Sequence, residues 1–123
     1  MSIQTSASAS VHPIVITPAG SRVRVLAGGE VIADTARALS LEEASYPPVL
    51  YIPREDVRMN LLVRTDRHTH CPYKGDASYF SIVTPAGRRE NAGWSYETPI
   101  AKVAPIAKYL AFYPDRVDAI EQV

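Results

Sequence analysis

Ten prolines spread along 123 residues constrain this chain more than any other feature. Proline lacks a backbone donor and disfavours helix at the residue before it, so no long helix fits between them. What fits is a set of short strands separated by turns, as in a sandwich, a barrel or a similar all-β form. Arg22 to Ala27 carries the clearest strand signature: Val23 and Val25 point one way, Arg22 and Arg24 the other. Gly28-Gly29 supplies a tight turn tolerant of positive φ, and Glu30 to Asp34 returns as the second arm of a hairpin.

Further strands are expected at Val11–Thr17, Val49–Ile52, Ala77–Val83, Arg88–Tyr96 and Tyr109–Tyr113. Arg37–Ala44 is ambiguous, with good helix formers in a run too short to hold a helix unaided. Arg54–Val57 reads as a turn or one helical turn, Met59–Val63 as additional core, and Arg64–Asp76 as an irregular polar loop. Between Pro99 and Pro105 only a brief helical turn fits. The expected organisation is a disordered tail over residues 1–10 and one β-rich domain over 11–123.

Composition narrows function mostly by exclusion. Thirteen basic residues balance thirteen acidic ones, so no bulk field draws the protein to nucleic acid or to a membrane surface. No apolar run approaches the ~20 residues needed to cross a bilayer. The opening MSIQTSASAS has neither the basic nor the apolar region of a secretory signal. With one cysteine, Cys71, no internal disulfide can form. A cytoplasmic location is the expectation from these features.

Four segments carry a family resemblance. They are Tyr46–Met59 (YPPVLYIPREDVRM), Thr69–Tyr79 (THCPYKGDASY), Glu90–Tyr96 (ENAGWSY) and Tyr109–Val117 (YLAFYPDRV). In this order the chain resembles the bacterial and fungal family of domain of unknown function 427, from about residue 20 to residue 118. The resemblance implies a mainly β, β-tent-like fold of two antiparallel sheets leaning together, with short helical turns only. That architecture is shared with methionine-R-sulfoxide reductases, the thalidomide-binding domain of cereblon and a zinc-binding exchange-factor-like chaperone. Such relatives typically hold zinc through paired Cys-x-x-Cys knuckles, which a chain with one cysteine cannot build. A nucleotidyltransferase-like label attached to the family finds no phosphate-cradling loop and no evident metal-binding carboxylate pair in this sequence.

The residues suggest three kinds of chemistry. Tyr51, Tyr73, Tyr79, Trp94 and Tyr96 could line a pocket between sheets, with Arg58, His70 and Lys74 orienting a ligand. Against this, buried aromatics in a small β domain are usually core, and Lys74 beside Gly75 could instead be a plain turn lysine on the surface. Cys71 could act as a nucleophile with His68 or His70 as its base, although a lone cysteine lacks a resolving partner and is usually structural. His68, His70 and Cys71, completed by Asp66 or Asp76, are the candidate metal ligands, but the spacing matches no strong zinc pattern; no cofactor is expected. Arg54, Arg58, Arg64 and Arg67 cluster in sequence but alternate with acids, which favours solvated ion pairs over nucleic acid. His12 has no functional reading. The best-supported expectation is a small-molecule binding module; the alternatives are a thiol or redox enzyme at Cys71 and a non-catalytic interaction domain, with a homodimer as one way to cover a sheet edge. Whether the chain is an enzyme stays open.

Overall fold

A computed structural model describes residues 13–123. The expected tail, His12 and the start of the first expected strand lie outside the described residues. Ten strands follow in order: β1 Ile14–Pro18, β2 Val23–Ala27, β3 Glu30–Thr35, β4 Leu39–Glu43, β5 Val49–Tyr51, β6 Leu62–Cys71, β7 Gly75–Thr84, β8 Gly87–Tyr96, β9 Ala111–Phe112 and β10 Ala119–Gln122. Short 3-10 turns at Arg54–Asp56, Met59–Leu61, Ala101–Ile106 and Pro114–Arg116 are the only helical segments among the described residues. None is long and apolar enough to cross a membrane.

The chain is mainly β and antiparallel, as the proline distribution requires. Its strands hydrogen-bond as three sheets, in the orders β1-β4-β5, β10-β2-β3 and β6-β7-β8-β9, where two sheets were expected. In β2 the alternation of buried and half-exposed residues follows the sequence pattern directly. Its hairpin with β3 turns at Gly28 and Gly29, with φ of 61° and 78°, as a two-residue turn between right-twisted strands needs.

Three segments differ from expectation. Leu39–Glu43, ambiguous in sequence, is the middle strand of its sheet, with Leu41 paired to Ile16 on one side and Val49 on the other. Two ladders outweigh the weak helical preference of five residues that could not nucleate a helix. Leu62–Cys71, expected as loop over Arg64–Asp76, is a ten-residue strand. It is the edge of the four-stranded sheet, solvated along most of its length, so it needs no apolar alternation and shows none. A turn from Cys71 to Lys74 then returns the chain into β7. Finally, Ala119–Gln122, unassigned in sequence, pairs with β2 beyond the last expected strand.

Two groups of buried side chains hold the sheets together, and β7 feeds both. Phe80 and Ile82 pack with Val23, Val25 and Ile32 of β2 and β3. Ala77 and Tyr79 pack with Leu41 and Tyr51 of β4 and β5, and with Tyr96 of β8. Adjacent residues Tyr79 and Phe80 thus serve opposite faces, as strand parity demands. Each fully buried large aliphatic such as Ile32 or Ile82 contributes about 1.5–3 kcal/mol relative to exposure.

Candidate functional site

Where the three sheets meet they leave an apolar cleft of about 300 Å³. Val25 of β2 and Ile120 of β10 form one wall, and Pro48, Val49, Leu50 and Ile52 in and around β5 form another. Trp94 of β8, Phe112 of β9 and Pro114 complete it. Every wall residue is apolar apart from the indole N–H, and that donor is already used: Trp94 Nε1 donates to Tyr51 Oη at 3.3 Å. The indole is also held edge-to-face by Tyr51, with ring centres 6.3 Å apart, and packs against the tilted ring of Tyr113 at 4.5 Å. Trp94 is therefore a preset wall rather than a swinging one. The volume falls at the lower end of small-molecule pockets.

Beside Trp94 lies a second, packed cluster. Tyr51 is 1% exposed and Tyr96 6%. Burial is the main cause that pushes both phenols above the ordinary tyrosine value. Lys74 is buried here as well, which corrects the surface-turn reading. Its ammonium donates to Glu43 of β4 and stands 5.9 Å from the centre of the Tyr96 ring. The turn after β6 is thereby tied to the β1-β4-β5 sheet by a buried ion pair.

A third group forms around Tyr79 and Tyr113, whose rings lie nearly parallel with centres 6.5 Å apart. Tyr79 Oη is within hydrogen-bond distance of Thr69 Oγ1 at 3.0 Å and Tyr113 Oη at 3.3 Å. Arg67 stands over the Tyr79 ring and Arg116 over the Tyr113 ring, at 5.0 and 4.6 Å. Burial pushes Tyr113 up to about 12. Burial acts upward on Tyr79 too, but hydrogen bonds with Thr69, Tyr113 and Arg67 outweigh it and hold that phenol below its ordinary value.

The structure thus brings together Tyr51, Lys74, Trp94 and Tyr96 from the expected ligand-binding set, and of these only Trp94 lines the cleft. Arg58 is elsewhere, paired with Glu30 at 2.9 Å and donating its backbone N–H to Ile32 of β3. His70 is on the solvated face of β6, with Nδ1 2.7 Å from Asp76 Oδ1 across the hairpin. His68 is exposed, and Tyr73 is 43% exposed on the turn.

Cys71 is half-buried against the second cluster. It lies on a strand next to His70, so the two side chains leave opposite faces. Among the described residues no three His, Cys, Asp or Glu side chains gather as a metal site. Arg54 and Arg64 both pair with Glu97, at 3.0 and 2.7 Å, and flank the Phe80 ring. With Arg58 they satisfy the ion-pair reading, and Arg67 is the member of that run left over.

Sequence reasoning missed Val25, Leu50, Phe112 and Ile120 as cleft residues. Each looks like ordinary core in sequence, and the walls come from strands up to 95 positions apart, since Val25 faces Ile120 across a ladder. Glu43 and Tyr113 were missed for the same reason. No curated protein matches the chain. The model of the family described as a domain of unknown function, DUF427, matches residues 15–123, which takes in all ten strands but for the first residue of β1, and the chain belongs to that family.

Proposed function

We propose that this protein binds a small, mainly apolar molecule in the cleft between its three sheets. The observation that carries this reading is the cleft itself, with nine lining residues drawn from every sheet and an indole locked in its wall by Tyr51 and Tyr113. Burying apolar ligand surface there supplies the affinity, at about 25 cal/mol per Å² of area removed from water. The fixed indole limits what must be ordered on binding. A thiol reaction at Cys71 with His70 as base has no observation in its favour, because the two side chains diverge.

Trp94 is the protein's single tryptophan, so its emission reports the cleft directly. Titration with benzyl alcohol and cyclohexanol is expected to shift that emission saturably. Leu50→Phe, which fills the cleft from β5, is expected to abolish the response, while Cys71→Ser leaves it intact. A response that survives Leu50→Phe, or no saturable response to any compound of this size, would remove the reading.

A further inference from the structure

The group around Tyr79 and Tyr113 is built from two irregularities that face each other across β7. In the β6–β7 ladder the register jumps between Arg64↔Phe80 and His68↔Ser78, so Thr65, Asp66 and Arg67 bulge opposite Tyr79. In the β7–β8 ladder it jumps between Phe80↔Gly93 and Ile82↔Arg89, so Glu90, Asn91 and Ala92 bulge opposite Ser81. The bulges are joined over the strand: Thr65 Oγ1 donates to Asn91 Oδ1 at 2.6 Å. Asn91 adopts φ of 47°, its N–H bonded to Ser81 Oγ at 3.0 Å. Bulges of this kind re-aim side chains and recur beside functional sites.

What they aim is positive charge. The first bulge places Arg67 over Tyr79, and the carbonyl of Asn91 in the second accepts from Arg116 Nη1 at 3.0 Å, fixing that guanidinium over Tyr113. Among the described residues neither arginine pairs with a carboxylate, although Asp66 and Asp115 are their sequence neighbours. Most other arginines of the fold do pair: Arg22, Arg37, Arg54, Arg58, Arg64, Arg88 and Arg89.

The hydroxyls of the two tyrosines and Thr69 add a donor. Thr69, Tyr79 and Tyr113 form a chain of three O–H groups with two links. Each hydroxyl brings one proton, so one proton stays unused within the chain, to be given outward from either end. Both arginines are exposed, and Thr69 and Tyr113 are half-buried, so the group opens to solvent.

The geometry points to an oxyanion site at Arg67, Arg116 and the Thr69–Tyr79–Tyr113 hydroxyl chain, taking a phosphate or carboxylate group of a small molecule. Guanidinium forks suit both groups, and charge-assisted hydrogen bonds are the stronger kind. None of these five residues lines the apolar cleft, although the Tyr113 ring packs on the Trp94 indole in its wall.

The test titrates inorganic phosphate, and in a second arm acetate, into the full chain at constant ionic strength set with chloride. Amide chemical shifts and Trp94 emission are read together. Shifts are expected at Thr69, Tyr79, Tyr113 and Arg116 with one or both anions, the arm that responds telling which group is preferred. Arg67→Ala and Arg116→Ala are each expected to weaken binding tenfold or more, and Tyr113→Phe to weaken it while keeping the ring stack. Arg22→Ala, which removes a guanidinium already paired with Asp34, and Leu50→Phe in the cleft are expected to leave it unchanged. Equal shifts with chloride alone, or affinities within twofold of wild type in both arginine variants, overturn the proposal.

Discussion

Lys74→Met tests whether the buried ion pair holds two sheets together. The substitution keeps an unbranched stem of similar length and removes only the charge. Lys74 has 9% of its side chain exposed and Glu43 18%, so the carboxylate left behind is largely cut off from water. Breaking one side of a buried pair typically costs 3–5 kcal/mol, most of it the penalty of the stranded charge. Glu43 keeps some solvent and another interaction, which places the expected loss at the lower end, about 3 kcal/mol. The ammonium's position over Tyr96 adds about 0.5–1 kcal/mol to what is lost.

Urea denaturation should show the midpoint fall with an unchanged slope, and thermal scans a drop on the order of 10 °C. The double variant Glu43→Leu with Lys74→Met removes both charges and should lie within about 1 kcal/mol of wild type, because a dry apolar contact commonly replaces a buried pair without loss. A coupling energy of about 2 kcal/mol or more from the full cycle is therefore expected. A cost below about 1 kcal/mol for Lys74→Met, or additive single effects, would show that the pair is solvated and refute the reasoning.

Three further outcomes follow from the geometry. Gly28 has φ of 61° and a methyl there would run into the Thr84 hydroxyl, whereas Gly29, with φ of 78°, has open space around it. Gly29→Ala should cost about 1–2 kcal/mol for the left-handed backbone alone, and Gly28→Ala measurably more, both read by denaturant unfolding. At high pH, burial holds the Tyr113 proton to about 12 and raises Tyr51 and Tyr96 as well. The folded chain then binds protons that the unfolded chain has lost, so stability is full below the ordinary phenol value and falls as pH rises towards 12; phenolate absorbance should climb with unfolding, and Tyr113→Phe should flatten the upper part of the curve. At low pH the sign reverses for Glu97, which the hydrogen bond from Arg64, and then that from Arg54, hold below the ordinary glutamate value against its burial. Its contribution is fully present above that ordinary value and is lost as pH falls below it through the depressed folded-state value, so Glu97→Gln should flatten the acid limb of a stability profile.

Much of the fold was legible because its signals are local. Proline positions rule out long helices through one residue's missing donor and one ring's bulk. The alternation in Val23–Ala27 and the Gly28-Gly29 turn specify a hairpin without reference to anything distant, and the family resemblance matched the chain over nearly its whole length. The expectation that Trp94 and Tyr96 share a face also needed only parity, and both enter the second cluster.

Other features depend on neighbours that the sequence does not place. Leu39–Glu43 is a strand because two ladders flank it, and Leu62–Cys71 is a strand despite a polar composition because it sits at an edge with water on one side. Lys74 beside a glycine looks like a surface turn until β4 delivers Glu43 to it. Arg67 looks like one of four equivalent arginines until Glu30 and Glu97 take the other three. The cleft is the extreme case, since a void has no residues of its own and exists only where three sheets fail to close on one another. Sequence determined the all-β character, the β2–β3 hairpin and the turns at glycine and proline, because those preferences act over a few residues. Tertiary structure decided which charges are paired, which stay free and where space is left, because Coulomb energy and packing act between whatever the fold brings into contact.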